Sequence, residues 1–125
     1  MERRDFLRCA AATSVGAMTG TALAGTKDTV STSQMKKCKV KVVNKLIFQD
    51  LYKKHRGSEG KICSAFEEGQ EFILDSPWSA PEGFCQFAWA DIRMYIMAVC
   101  FGNPETTVAC CTDGFRPVIF EVGPA

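Results

Sequence analysis

The sequence predicts a small single α+β domain in the order β-α-β-α-β-β, and three observations carry that expectation. Cys38-Lys39-Val40-Lys41-Val42 alternates apolar and charged residues, the period of a strand with one buried face. Residues 84–101 form a long apolar stretch with Trp89, Ile92, Ile96 and Val99 on one helical line. Asp113-Gly114 separates two apolar runs, 107–112 and 115–122, as a hairpin would. A length of 125 residues suits one domain, and no run of apolar residues is long enough to span a bilayer.

The remaining elements follow in chain order. Residues 46–55 place Ile47, Phe48, Leu51 and Tyr52 at helical spacing, an amphipathic helix that stops at Gly57. A loop over 57–65 leads to a short strand at 71–75, and Pro77, Pro81 and Gly83 make 76–83 a loop. The main helix has Tyr95 beside its apolar line and only Asp91 and Arg93 charged between Ala88 and Phe101. Such a helix is expected to be buried on most sides, and Gly102-Asn103-Pro104 ends it. Asp113-Gly114 suits a two-residue type I′ turn, because glycine takes positive φ cheaply. Pro117 lacks a ladder donor, so the last strand is expected at an edge or with a bulge there.

The amino terminus reads as an address. Arg3-Arg4-Asp5-Phe6-Leu7-Arg8 precedes an uncharged run rich in Ala, Gly and Thr that ends at Ala22-Leu23-Ala24. This pattern resembles a twin-arginine (Tat) export signal at 1–24, cleaved after Ala24. The resemblance implies recognition of Arg3 and Arg4 by the Tat machinery, export of a folded domain to the periplasm or the exterior, and a possible co-exported partner protein. A polar linker at 25–34 follows, and the domain occupies 35–125, where Met35 offers a second start.

Charge is divided along the domain. Residues 36–61 hold nine basic groups against Asp50 and Glu59; residues 62–125 hold nine acidic groups against Arg93 and Arg116. In one small domain the two halves are expected to pack together and their fields to cancel. Nucleic-acid binding is not expected, since Phe48 and Tyr52 are the only aromatics among the basic residues.

The motifs Phe66-Glu67-Glu68-Gly69-Gln70-Glu71-Phe72, Pro81-Glu82-Gly83-Phe84-Cys85, Ala88-Trp89-Ala90-Asp91-Ile92 and Ala109-Cys110-Cys111-Thr112-Asp113-Gly114-x-Arg116-Pro117-Val118 resemble a family of small uncharacterised proteins. The resemblance covers Met35 to Val122 and implies no activity. It departs from the family pattern at Ser64, where a proline is usual, and at Gly102, where a glycine pair is common.

Cys63, Cys85, Cys110 and Cys111 fall in or near these motifs, whereas Cys38 and Cys100 resemble core residues. Three readings remain open. Thiolates of Cys63, Cys85, Cys110 and Cys111 suit zinc or an iron–sulfur cluster, although no Cys-x-x-Cys pair exists and neighbours in a strand point to opposite faces. Export to an oxidising compartment would permit disulfides. Reduced, inert thiols are the third reading. A catalytic thiolate would need His55 or Arg116 beside it.

Asp113 is read chiefly as a turn residue, and Arg116 as an anion ligand or a salt-bridge partner of Asp91 or Glu121. Gln70 and Glu71 either line a pocket beside Cys85 or start a strand. The expected function is non-enzymatic: an exported binding or accessory domain with its site around Cys63, Cys85, Cys110, Cys111, Asp113 and Arg116. The alternative is a cysteine-dependent redox, metal-binding or enzymatic protein.

Overall fold

Strand β1 (Cys38–Lys45) buries Cys38, Val40 and Val42 and turns its lysines outward, as the alternation requires. The computed structural model describes residues 34–125, so the export signal, its cleavage position and nearly all of the linker lie outside the described residues. After β1 come helix α1 (Gln49–Arg56), strand β2 (Glu71–Leu74), helix α2 (Gln86–Cys100) and strands β3 (Thr107–Cys110) and β4 (Val118–Pro124). The fold is α+β, with one four-stranded antiparallel sheet in the order β2-β1-β4-β3.

The sheet has one apolar face. Val40 pairs with Phe72 and Val122, and Val42 with Phe120, so the inward residues of three strands stand side by side. Helix α2 lies across this face and buries Ala88, Trp89, Ile92, Ile96, Val99 and Cys100 against it. Burying each large side chain stabilises the fold by roughly 1.5–3 kcal/mol. The expected line of Trp89, Ile92, Ile96 and Val99 is the buried one. The rest of the helix corrects the expectation of burial on most sides: Phe87, Met94, Tyr95 and Phe101 are exposed. A single sheet covers only one side of a helix, and no second layer lies beyond α2 among the described residues.

Helix α1 also differs from its expected role. It has no buried residue, Ile47 and Phe48 precede it, and Leu51 is 47% exposed. Backbone bonds from the residues ahead of it tether it, Leu46 N–H donating to Pro117 O at 2.9 Å and Phe48 N–H to Phe115 O at 2.8 Å, and Tyr52 packs against the Phe115 ring. Gly57 ends it in the left-handed region at φ 75°, as the sequence indicates. Gln49 then clamps Gly60 with two hydrogen bonds, at 2.8 and 3.1 Å. Any Cβ at Gly60 would stand 2.7 Å from the Tyr52 ring, so glycine is required by the close approach.

The third and fourth strands are joined by 111–117, not by a two-residue turn. Gly114 does not take positive φ; instead Asp113 Oδ1 accepts N–H bonds from Phe115 at 3.0 Å and Arg116 at 3.2 Å. Pro117 lies in this connection, ahead of β4, and β4 is an inner strand, so the edge expectation fails. The irregularity falls on β1 instead, where the β1–β4 register shifts between Val42 and Asn44. The two charge halves meet at the β1–β2 seam, in ion pairs Lys37–Asp75 (3.2 Å) and Lys41–Glu71 (3.9 Å).

All six cysteines of the described residues carry free thiols. Burial, with a smaller contribution from nearby Cys100, pushes the Cys38 thiol up to about 12 from the ordinary 9.0; a hydrogen bond with Gly123 opposes both. Burial pushes Cys100 up as well. A raised thiol pKa means that its contribution to stability is complete below pH 9.0 and is lost between 9.0 and about 12. Cys38→Ala is therefore expected to cost roughly 1 kcal/mol at neutral pH and to flatten the alkaline loss of stability. Urea unfolding at a series of alkaline pH values checks this, and parallel wild-type and variant curves would contradict it.

Candidate functional site

A cavity of about 730 Å3 opens between α1, the loop 63–66, the start of α2 and the connection 111–117. Helix α1 contributes Tyr52 and Arg56, one turn apart and therefore on one face. Tyr52 packs edge-on against Phe115 with ring centroids 5.6 Å apart, and the Arg56 guanidinium lies 5.3 Å from the same ring centroid. Arg56 has no carboxylate partner among the described residues.

The loop wall is held from the sheet. Lys45 Nζ donates to Phe66 O at 2.7 Å and to Cys63 O at 3.1 Å, fixing the segment that presents Cys63. Phe66 is buried beneath it, in edge-on contact with Phe84 and Phe120 at 4.9 and 5.2 Å. Phe84 in turn precedes Cys85, the N-cap residue of α2. The Cys85 side chain makes no capping bond, and the first turn carries no acidic residue. The N–H groups of that turn are thus left for water or a ligand, at the positive end of the helix dipole.

The fourth wall is the 111–117 connection. Asp91 Oδ2 accepts the Thr112 N–H at 2.7 Å and binds this wall to α2. Asp91 therefore pairs with a backbone group and not with Arg116. Arg116 instead donates through Nε to Asp113 Oδ2 at 3.2 Å. Burial alone would raise the Asp113 carboxyl, but bonds from the Phe115 and Arg116 N–H groups and the Arg116 side chain outweigh it and hold the carboxyl below its usual 3.8.

Five of the six residues expected at a site thus border one cavity: Cys63, Cys85, Cys111, Asp113 and Arg116. Cys110 does not. It pairs with Ile119 on the opposite, exposed face of the sheet, while Cys111 packs toward the core and its Sγ accepts the Val118 N–H at 3.3 Å. The four thiols therefore do not converge. Among the described residues no group of three or more His, Cys, Asp or Glu side chains is placed to hold a metal ion, and the zinc and iron–sulfur donor set does not fit. His55 is exposed on α1 and does not border the cavity. Gln70 and Glu71 also lie away from it: Gln70 Oε1 accepts the Glu67 N–H, and Glu71 starts β2.

Sequence reasoning missed Tyr52, Arg56, Phe66 and Phe115 as cavity residues. The i, i+4 spacing of Tyr52 and Arg56 was the available signal for the first two. No protein-family model, curated protein or solved structure matches the chain. No helix among the described residues is long and apolar enough to cross a membrane.

Asp113→Ala removes the acceptor that shapes the fourth wall and is expected to cost roughly 1 kcal/mol at neutral pH. Because the Asp113 carboxyl is depressed, its contribution is present above pH 3.8 and disappears as pH falls through the lower folded value. The wild-type and variant urea midpoints should converge in acid. A difference that persists unchanged there would refute the assignment.

Proposed function

We propose that the domain is a non-enzymatic binding module that takes a small anion with an apolar or aromatic body in this cavity. One juxtaposition carries the reading: Arg56, without a carboxylate partner among the described residues, and the uncapped start of α2 border a cavity whose lining also includes the rings of Tyr52, Phe66, Phe87 and Phe115. The two electropositive groups favour a carboxylate, sulfonate or phosphate, and the rings favour its apolar part. Arg116 adds little net charge, because Asp113 neutralises it.

A cysteine-dependent redox reading has one observation in its favour, the presence of Cys63, Cys85 and Cys111 on the same cavity. It lacks a base, since His55 lies outside the lining. The binding reading needs no such group and is preferred.

We also propose that the protein is exported by the twin-arginine route, on the strength of Arg3-Arg4-Asp5-Phe6-Leu7 and the small residues at Ala22 and Ala24. Export of an already folded domain suits a fold whose cavity is assembled from four separate chain segments.

Two experiments test these proposals. Titration of the full chain with 1-naphthoate, read by amide chemical shifts, is expected to perturb residues 85–88 and 112–116. Arg56→Ala should weaken binding roughly tenfold without lowering the thermal midpoint, because the side chain is exposed. Absence of saturable shifts at these amides, or unchanged affinity in the variant, refutes the site. Replacing Arg3-Arg4 by Lys-Lys should retain the protein inside cells, and undiminished secretion refutes the route.

A further inference from the structure

Helix α2 has a second apolar face, directly opposite the one that meets the sheet. Phe87, Met94 and Phe101 are 81%, 77% and 64% exposed and stand seven residues apart. Ala90 and Ala98 fall between them along the helix. At 100° per residue these five positions share a narrow stripe. The only charged residues of the helix are engaged beside it: Asp91 accepts the Thr112 N–H, and Arg93 Nε donates to Pro77 O at 3.1 Å.

The stripe reads the same in both directions about Met94: Phe, Ala, Met, Ala, Phe at 87, 90, 94, 98 and 101. A two-fold interface must be self-complementary, each residue meeting its mirror position in the other copy. An antiparallel helix pair with its axis at Met94 sets Phe87 against Phe101 of the second copy, and Ala90 against Ala98. The alanines leave room for the large side chains to interdigitate.

The area is sufficient. Trp78, 55% exposed, extends the patch by packing 6.2 Å from Phe101. With side chains of about 150–250 Å2 each, these four large residues expose on the order of 550 Å2 per copy. Covering these patches completely in two copies would remove about 1,100 Å2, comparable to the roughly 1,000 Å2 that a specific interface needs.

We infer that the occupant of this face is a second copy of the chain, joined through an antiparallel α2–α2 contact with its two-fold axis at Met94. Phe87 also borders the cavity, so Phe101 of the second copy packs against the outer side of that wall. Association through this face does not depend on which ligand the cavity takes.

Sedimentation equilibrium of the full chain tests it. The wild type is expected to dimerise. Met94→Glu and Met94→Lys should each weaken association at least about 100-fold, since like charges then face each other on the axis. Mixing the two variants should restore the dimer, because the introduced carboxylate meets the introduced ammonium only in a two-fold contact at that position. Circular dichroism should show both variants folded, as Met94 is exposed. Val108→Lys, on the exposed edge strand β3, should leave the dimer intact. A monomeric wild type, a dimer indifferent to Met94→Glu, a mixture that stays monomeric, or a dimer abolished by Val108→Lys would each overturn the inference.

Discussion

The edge-on contacts of Phe66, Phe72, Phe84 and Phe120 are the constraint on which the site depends. These rings come from a loop, an edge strand, the residue before the N-cap of α2, and an inner strand; the edge-on pairs have centroids 4.9–6.1 Å apart, and Phe84 and Phe120 stack at 6.2 Å. Aromatic pairs in this arrangement contribute beyond the area they bury and restrict the angles between the elements they join. The cluster therefore fixes the start of α2 relative to the loop that carries Cys63. Lys45 completes the bracing from above, by holding two carbonyls of that loop. No side-chain polar atom buried among the described residues lacks a partner, so this core is assembled without a stored electrostatic penalty.

Much of the fold was legible because periodicity reports which residues share a face. The alternation at 38–42 identified β1, and the 89–92–96–99 line identified the buried side of α2. Periodicity does not report whether a facing layer exists. For that reason Leu51 and Phe48 looked like core residues and are exposed, and α2 looked enclosed and is half covered. The turn was misread for a related cause. Asp113-Gly114 fits a type I′ turn in isolation, but the Asp113 carboxylate captures two downstream N–H groups and lengthens the connection. Pro117 is then free to sit outside the ladder.

The residues selected from the motifs, Cys63, Cys85, Cys111, Asp113 and Arg116, come from three distant stretches and border one cavity. Spacing along the chain could not bring them together; the central β1–β4 pairing does, by returning the last strand beside the first described one. Electrostatics acts differently at the two sides of the molecule. Along the β1–β2 seam, lysines and carboxylates face one another and cancel, in exposed pairs that contribute little stability. On α1 the cations run ahead of their partners, and Arg56 is left over a ring instead of beside a carboxylate. The cavity rim on that side is therefore positive although the described domain as a whole is nearly balanced.

The adjacency of Cys110 and Cys111 carries a consequence for how this chain can change. One sulfur meets solvent and the other the cavity only because consecutive positions at the end of β3 project to opposite sides. Substitutions elsewhere in that strand leave the division intact. Losing or gaining a single residue ahead of Cys110 would exchange the two sulfurs' surroundings. Strand length, more than side-chain chemistry, is what drift in this region must preserve.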